Sequence, residues 1–155
     1  MLGIRCWDGR LIWLAIEMDC LGSEIICYIS STIGIDGQMI RDMLLEAKEQ
    51  RFGDIKAPST QFLSDNGLQY TAFATMAFNE TLGFGVCHTP VYFPESNGMA
   101  EAYVKTCKRD YAYVNHLNHA EEVMLKIHNW IDDDNSFAQH KGSQMKSRKE
   151  VSKKR

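Results

Sequence analysis

The chain has 155 residues, of which 45% are hydrophobic, and a formal net charge of −3. This length predicts a single domain with a substantial buried core. The absence of a run of about 18 uncharged apolar residues disfavours a membrane span, and the first residues lack the apolar stretch of a signal peptide, so a cytoplasmic protein is expected.

Charge is divided unevenly along the chain. Seven Lys or Arg residues and one acidic residue lie between Lys141 and Arg155, so this segment carries +6 and the remainder carries −9. An acidic body suits metal ligation and a basic tail suits phosphate, but neither is diagnostic. We expect a folded domain over residues 1–134 and a basic, disordered tail over residues 135–155.

The cysteines predict no metal centre. They are five in number, are widely scattered, and form no CxxC or CxxH pair: Cys6, Cys20, Cys27, Cys87 and Cys107. Reduced, partly buried thiols are expected instead of zinc ligands.

The first third of the chain predicts an antiparallel meander. A short strand over Leu2–Cys6 precedes the hairpin signal Asp8-Gly9, and a near-continuous apolar run covers Leu11–Ile16. Turn residues at Asp19–Gly22 lead to a third strand over Glu24–Ile29.

A helix, a strand, a helix and a strand follow in the middle of the chain. Asp36 is positioned to cap a helix that ends at Gly53, and Gln61–Ser64 predicts a buried strand that delivers Asp65 to the sheet edge. Thr71 is expected to cap the next helix, whose apolar face contains Phe73, Met76 and Ala77. A strand over Phe84–His88 comes next.

A long helix is predicted from about Ser96. Its apolar stripe has steps of three and four: Ala100, Tyr103, Val104, Cys107, Tyr111 and Val114. Glu101, Lys105 and Lys108 share a second face. Taken alone, that face is typical of a solvated surface with an intrahelical Glu–Lys pair.

A last amphipathic helix contains Ala120, Val123, Met124, Ile127 and Ile131. The acidic run Asp132–Asp134, followed by Asn135, is interpreted as its solvated end.

Two acidic residues are candidates for a metal site. Asp65 follows a strand and Glu101 lies in the first turn of a helix, with 35 residues between them. Carboxylates brought together in this way form the oxygen-only sites that Mg²⁺ prefers. Asp65-Asn66-Gly67 is also good turn chemistry, so this motif alone would indicate only a turn.

Together, the SDNG of Ser64–Gly67 and the PESNGMAEAYVKTCKRDY of Pro94–Tyr111 resemble a known family. They are similar to the integrase catalytic core of bacterial insertion-sequence transposases, the DDE group related to retroviral integrases. The resemblance extends over roughly Leu2–Asp134. It implies an α/β, ribonuclease-H-like fold with a five-stranded mixed sheet flanked by helices.

The resemblance also implies DNA strand cleavage and joining with Mg²⁺ or Mn²⁺. Asp65 and Glu101 match the second and third catalytic acids, which bind the metal ions. The DNA-contacting positions correspond to Lys105, Lys108, Arg109 and Asn97. The implied partners are transposon ends, target DNA, and a second copy of the chain or an intact transposase, without a membrane.

The family's first catalytic acid has no clear match. Aligning Asp8-Gly9 with the family's hairpin places that acid just before Met1, which predicts a truncated and defective core. An alternative register makes Asp8 the first acid but leaves almost no first strand. Two functions follow from these alternatives: a DDE transposase core, or a catalytically inactive DNA-binding or co-assembly module. A generic α/β nuclease accounts less well for the lysine spacing.

Overall fold

The computed structural model describes residues 1–20, 22–54, 60–64, 67–88, 98–137 and 147–152. Three antiparallel strands form the first sheet: β1 (Leu2–Arg5), β2 (Leu11–Met18) and β3 (Ile25–Ser31). Their order is β1-β2-β3, with Leu2 opposite Leu14 and Ile16 opposite Tyr28. The predicted meander is therefore confirmed.

Two parallel strands form a separate ladder. They are β4 (Gln61–Ser64) and β5 (Gly85–His88), with Ser64 opposite His88. The prediction of one five-stranded sheet is thus wrong in its pairing, because three strands and two strands are joined separately. β1 pairs with only the first half of β2, and a cavity separates its Leu2 end from β4.

Helices cover both faces of the three-stranded sheet. They are α1 (Gly37–Phe52), α2 (Leu68–Thr71), α3 (Phe73–Leu82), α4 (Gly98–Thr106), α5 (Ala120–Ser136) and α6 (Arg148–Ser152). A π-helical segment, Cys107–Ala112, continues α4. None of the described helices has the length and apolar composition needed to cross a membrane.

The alternation of side chains along β2 produces two cores. Ile12 and Leu14 pack with α5 residues on one face, whereas Ala15 packs with α1 residues on the other. Successive side chains of a strand point to opposite faces, so a near-continuous apolar run is expected when both faces are covered.

The caps of α1 agree with the sequence. The Asp36 carboxylate accepts a hydrogen bond from the Met39 amide at 2.9 Å, and Gly53 ends the helix with φ +57°. The predicted cap of α3 is wrong. The hydroxyl of Thr71 donates to the Gly67 carbonyl at 3.3 Å, and Phe73, the first residue of α3, is 87% exposed. Thr71 instead belongs to α2, and the buried face of α3 contains Thr75, Asn79 and Leu82.

The end of α5 differs from the solvated end predicted for it. Asp132 and Asp133 are exposed, but Asp134 is fully buried and pairs with Arg148. The Asn135 side chain accepts a hydrogen bond from the Ile25 amide and donates one to the Ile25 carbonyl, each at 2.9 Å. α5 therefore runs through Asn135 into the segment predicted to be a tail, and α6 lies further along it; residues 138–146 and 153–155 are outside the described part.

Candidate metal and nucleic-acid site

The end of β4 and the first turn of α4 border the same cavity. This cavity of about 90 Å³ is lined by Ser64 and Ala100, and also by Leu2, Tyr103 and Val104. Ser64 and Ala100 immediately precede Asp65 and Glu101, the two predicted catalytic acids. The backbone thus brings the residues directly before the two predicted acids to one cavity, and Asp65 itself lies outside the described residues.

Glu101 is exposed in the first turn of α4. Within the described ranges its carboxylate has no hydrogen bond or ion pair, so its oxygens are available to a cation. The intrahelical pair considered for Glu101 and Lys105 is not formed in this part of the chain. An uncommitted carboxylate of this kind fits the oxygen ligands that Mg²⁺ takes.

Three cations follow Glu101 along the same element. Lys105 is exposed, Lys108 is half-buried in the π-helical segment, and Arg109 is exposed. The Arg109 guanidinium pairs with Asp110, Nε to Oδ1 at 2.5 Å and Nη2 to Oδ2 at 2.6 Å. This contact lowers the pKa of the Asp110 carboxyl and neutralises the Arg109 charge. Asn97 lies outside the described residues.

The π-helical segment alters the predicted stripe of the long helix. The Tyr113 amide donates to the Lys108 carbonyl at 2.8 Å, which is an i to i−5 bond. Tyr103, Cys107 and Ala112 are buried, whereas Val114, predicted to lie in the stripe, is 69% exposed. The wider turn shifts the phase of the helix by one residue.

Asp8 occupies the β1–β2 turn. Its carboxylate accepts hydrogen bonds from the Arg10 amide at 3.0 Å, the Arg10 guanidinium at 2.8 Å and the Ala120 amide at 3.2 Å. The bonds from Arg10, first from its amide and then from its side chain, lower the pKa of Asp8 to about 2. A strand rises about 3.3 Å per residue, so Asp8 is roughly 10 Å or more from Leu2 at the cavity.

Sequence reasoning gave no role to Glu17, which also borders the cavity. It is half-buried on β2 opposite Cys27, and burial raises the pKa of its carboxyl to about 8. The sequence signal that could have singled out Glu17 is its place as an acidic residue directly after the apolar run Leu11–Ile16. Among the described residues, His, Cys, Asp and Glu side chains form no group of three that could hold a metal ion.

The strands and helices, in this order, define a ribonuclease-H-like α/β fold. Over 96% of the chain it resembles the crystal structure of the BIV integrase catalytic core domain, with a TM-score of 0.61, 20% identity and 88% of that chain covered. Over 83% of the chain it resembles the catalytic domain of the Mos1 mariner transposase, with a TM-score of 0.65, 18% identity and 65% of that chain covered.

Sequence relatives identify the family. The chain is 43% identical over 148 residues to an insertion element IS136 protein of Agrobacterium fabrum, covering 94% of this chain and 76% of that protein. It is 38% identical over 107 residues to the IS2 transposase InsD of Escherichia coli, covering 68% of this chain and 36% of the transposase. A comparison with protein-family models found no match. The chain belongs to the insertion-sequence transposases with an integrase-like catalytic core.

Proposed function

We propose that this chain is the catalytic core of a DDE transposase and carries out metal-dependent phosphoryl transfer on DNA. The observation that supports this most directly is the shared cavity, since the residues preceding Asp65 and Glu101 both line it. Asp65 and Glu101 would hold Mg²⁺ or Mn²⁺. An ion held there would supply Lewis-acid activation of a water or 3′-hydroxyl for attack on the phosphorus.

The remaining groups act by positioning DNA. Lys105 and Lys108 lie one and two turns after Glu101, and neither has an ion-pair partner within the described ranges. Their ammonium groups would bind phosphates beside the scissile bond. Arg109 contributes less, because Asp110 already neutralises it. Asn97 would contact DNA just before α4, and the basic tail would add phosphate contacts.

We assign Asp8 no part in this site, since Arg10 and the Ala120 amide occupy its oxygens. The first catalytic acid therefore has no counterpart in the proposal. With two protein carboxylates, the site would bind one ion weakly and turn over slowly. Transposon ends and target DNA are the proposed substrates, with a second copy of the chain or an intact transposase as the partner.

The second candidate is a catalytically inactive module that binds DNA or co-assembles with an intact transposase. It is favoured by the lack of a residue in this sequence that clearly matches the family's first catalytic acid.

A branched DNA that presents a 3′-hydroxyl beside a phosphodiester tests phosphoryl transfer without requiring recognition of a transposon end. In Mn²⁺, the catalytic proposal predicts joined product at a rate at least tenfold above that of Glu101→Gln. Equal rates for the two proteins, with equal DNA binding, would favour the inactive module. Glu49→Gln, an exposed change on α1, is the matched control.

A further inference from the structure

The Arg148 side chain joins four elements of the fold. It starts the short helix α6, yet its side chain is only 8% exposed. Its Nε lies 2.6 Å from a carboxylate oxygen of Asp134 on α5. Its Nη1 donates a 2.6 Å hydrogen bond to the carbonyl of Ser23, which lies in the turn between β2 and β3. Removing one partner of a buried ion pair strongly destabilises the folded protein, because the other charge is left buried without compensation.

The third contact of the Arg148 side chain is with α4. The guanidinium carbon lies 5.7 Å from the centroid of the Tyr103 ring, which is within the range of a cation–π interaction. Tyr103 is 2% exposed and is the buried residue of α4. Glu101, two residues earlier, is exposed on the same helix. The Tyr103 ring is therefore the main anchor of the helix that carries Glu101, and Arg148 covers it.

Contacts around Arg148 hold α6 in place. The Ser147 amide donates to the Glu150 carboxylate at 2.7 Å, and the Glu150 amide donates to the Ser147 hydroxyl at 3.3 Å. This reciprocal pair is a capping box at the start of α6. Lys149 adds an ion pair to Asp132 at 2.6 Å. The basic segment thus delivers one arginine into the core at a defined position.

We propose that Arg148 is a positioning residue that fixes α4, and with it Glu101, through the Tyr103 ring. The inference rests on the proposed function for the role of Glu101, but the anchoring of α4 can be measured without it. Under this proposal, α6 is part of the catalytic core.

The test compares Arg148→Met and Arg148→Lys in the full chain with the control Arg51→Met. Arg51 on α1 also makes a 2.6 Å ion pair, to Glu24, but does not contact α4. Amide hydrogen exchange reports local opening of each helix. We expect exchange in α4 to accelerate at least tenfold more than exchange in α1 for both Arg148 variants. Arg148→Lys keeps a cation opposite Asp134 and so maintains the fold, but it lacks the planar face over Tyr103.

Mn²⁺ affinity provides the second measurement. Loss of an outer residue that orients a metal ligand typically costs about 10- to 100-fold in affinity. We expect a loss of this size in Arg148→Met, no further loss when Arg148→Met is added to Glu101→Gln, and no loss in Arg51→Met.

Equal acceleration in α1 and α4, or unchanged Mn²⁺ affinity in Arg148→Met, would overturn the inference. A parent chain that binds no Mn²⁺ would contradict the proposed function instead, and hydrogen exchange alone would then decide whether Arg148 anchors α4.

Discussion

At the scale of single residues, Glu17 is an ionisable group whose pKa is strongly raised by burial. It lies on β2 beside the cavity, and in the described part of the chain it has no ion-pair or hydrogen-bond partner. Cys27 stands opposite it on β3, and the charges of Glu17 and Glu46 add to burial in raising the pKa of the Cys27 thiol. Burial of Glu17 therefore favours its neutral form.

This environment predicts a pH-dependent gain from Glu17→Gln. The pKa of Glu17 rises from 4.5 to about 8 on folding. Ionisation of Glu17 therefore does not reduce the free energy of unfolding below about pH 4.5, but reduces it progressively as the pH rises through 8. Each pKa unit corresponds to about 1.4 kcal/mol of stability. Because Glu17 keeps some exposure at the cavity, we expect its ionisation to destabilise the fold by only roughly 2 kcal/mol. Urea unfolding should show Glu17→Gln more stable than the parent by about this amount at pH 8.5, and nearly equal at pH 4.5.

The exposed residue Glu49 supplies the comparison, because Glu49→Gln should change stability little at either pH. A stability difference for Glu17→Gln that did not vary with pH would contradict a half-buried carboxyl that is neutral in the folded state.

At the scale of secondary-structure elements, α4 and its π-helical continuation carry Lys105 and Lys108, which have no ion-pair partner among the described residues. Each phosphate contact releases a counterion, so Lys105→Ala and Lys108→Ala should each weaken binding of a short DNA duplex and reduce the salt slope by about 1. Fluorescence anisotropy at several salt concentrations measures both quantities. Lys126→Ala on α5, where Nζ donates to the His116 carbonyl at 3.4 Å, should leave the slope unchanged. Equal slopes for all three variants would place the DNA elsewhere.

The helices α1, α4 and α5 show which features periodicity in the sequence can predict and which it cannot. The α1 helix has its cap at Asp36 and its end at Gly53, because both signals are local. The course of the stripe beyond Cys107 was not predictable, since nothing in the sequence marks a π turn that buries Ala112. Val114 is exposed because it lies in the turn that follows the helix. Burial of Asp134 could have been noticed, because it follows Ile131 at the three-residue step of the apolar stripe. Its partner Arg148 is distant in sequence and gave no such signal.

At the scale of the whole molecule, element order was easier to predict than pairing. Five strands were expected at close to their observed positions, because alternation and turn residues act locally. Whether β4 joins β1 depends on contacts about 60 residues apart in the chain, and here a cavity bordered by Leu2, Ser64 and Glu17 lies between them. The sequence predicts that Asp65 and Glu101 lie close together. In the structure, the residues directly before them, Ser64 and Ala100, line the same cavity.

We expect Asp65 and Glu101 to form one metal site, and a calorimetric Mn²⁺ titration of the full chain measures whether they do. The parent chain should bind, Asp65→Ala and Glu101→Ala should each lose at least tenfold in affinity, and Asp54→Ala, an exposed change after α1, should bind as the parent does. Binding that persists unchanged in Asp65→Ala and Glu101→Ala, or no binding by the parent chain, would contradict this expectation.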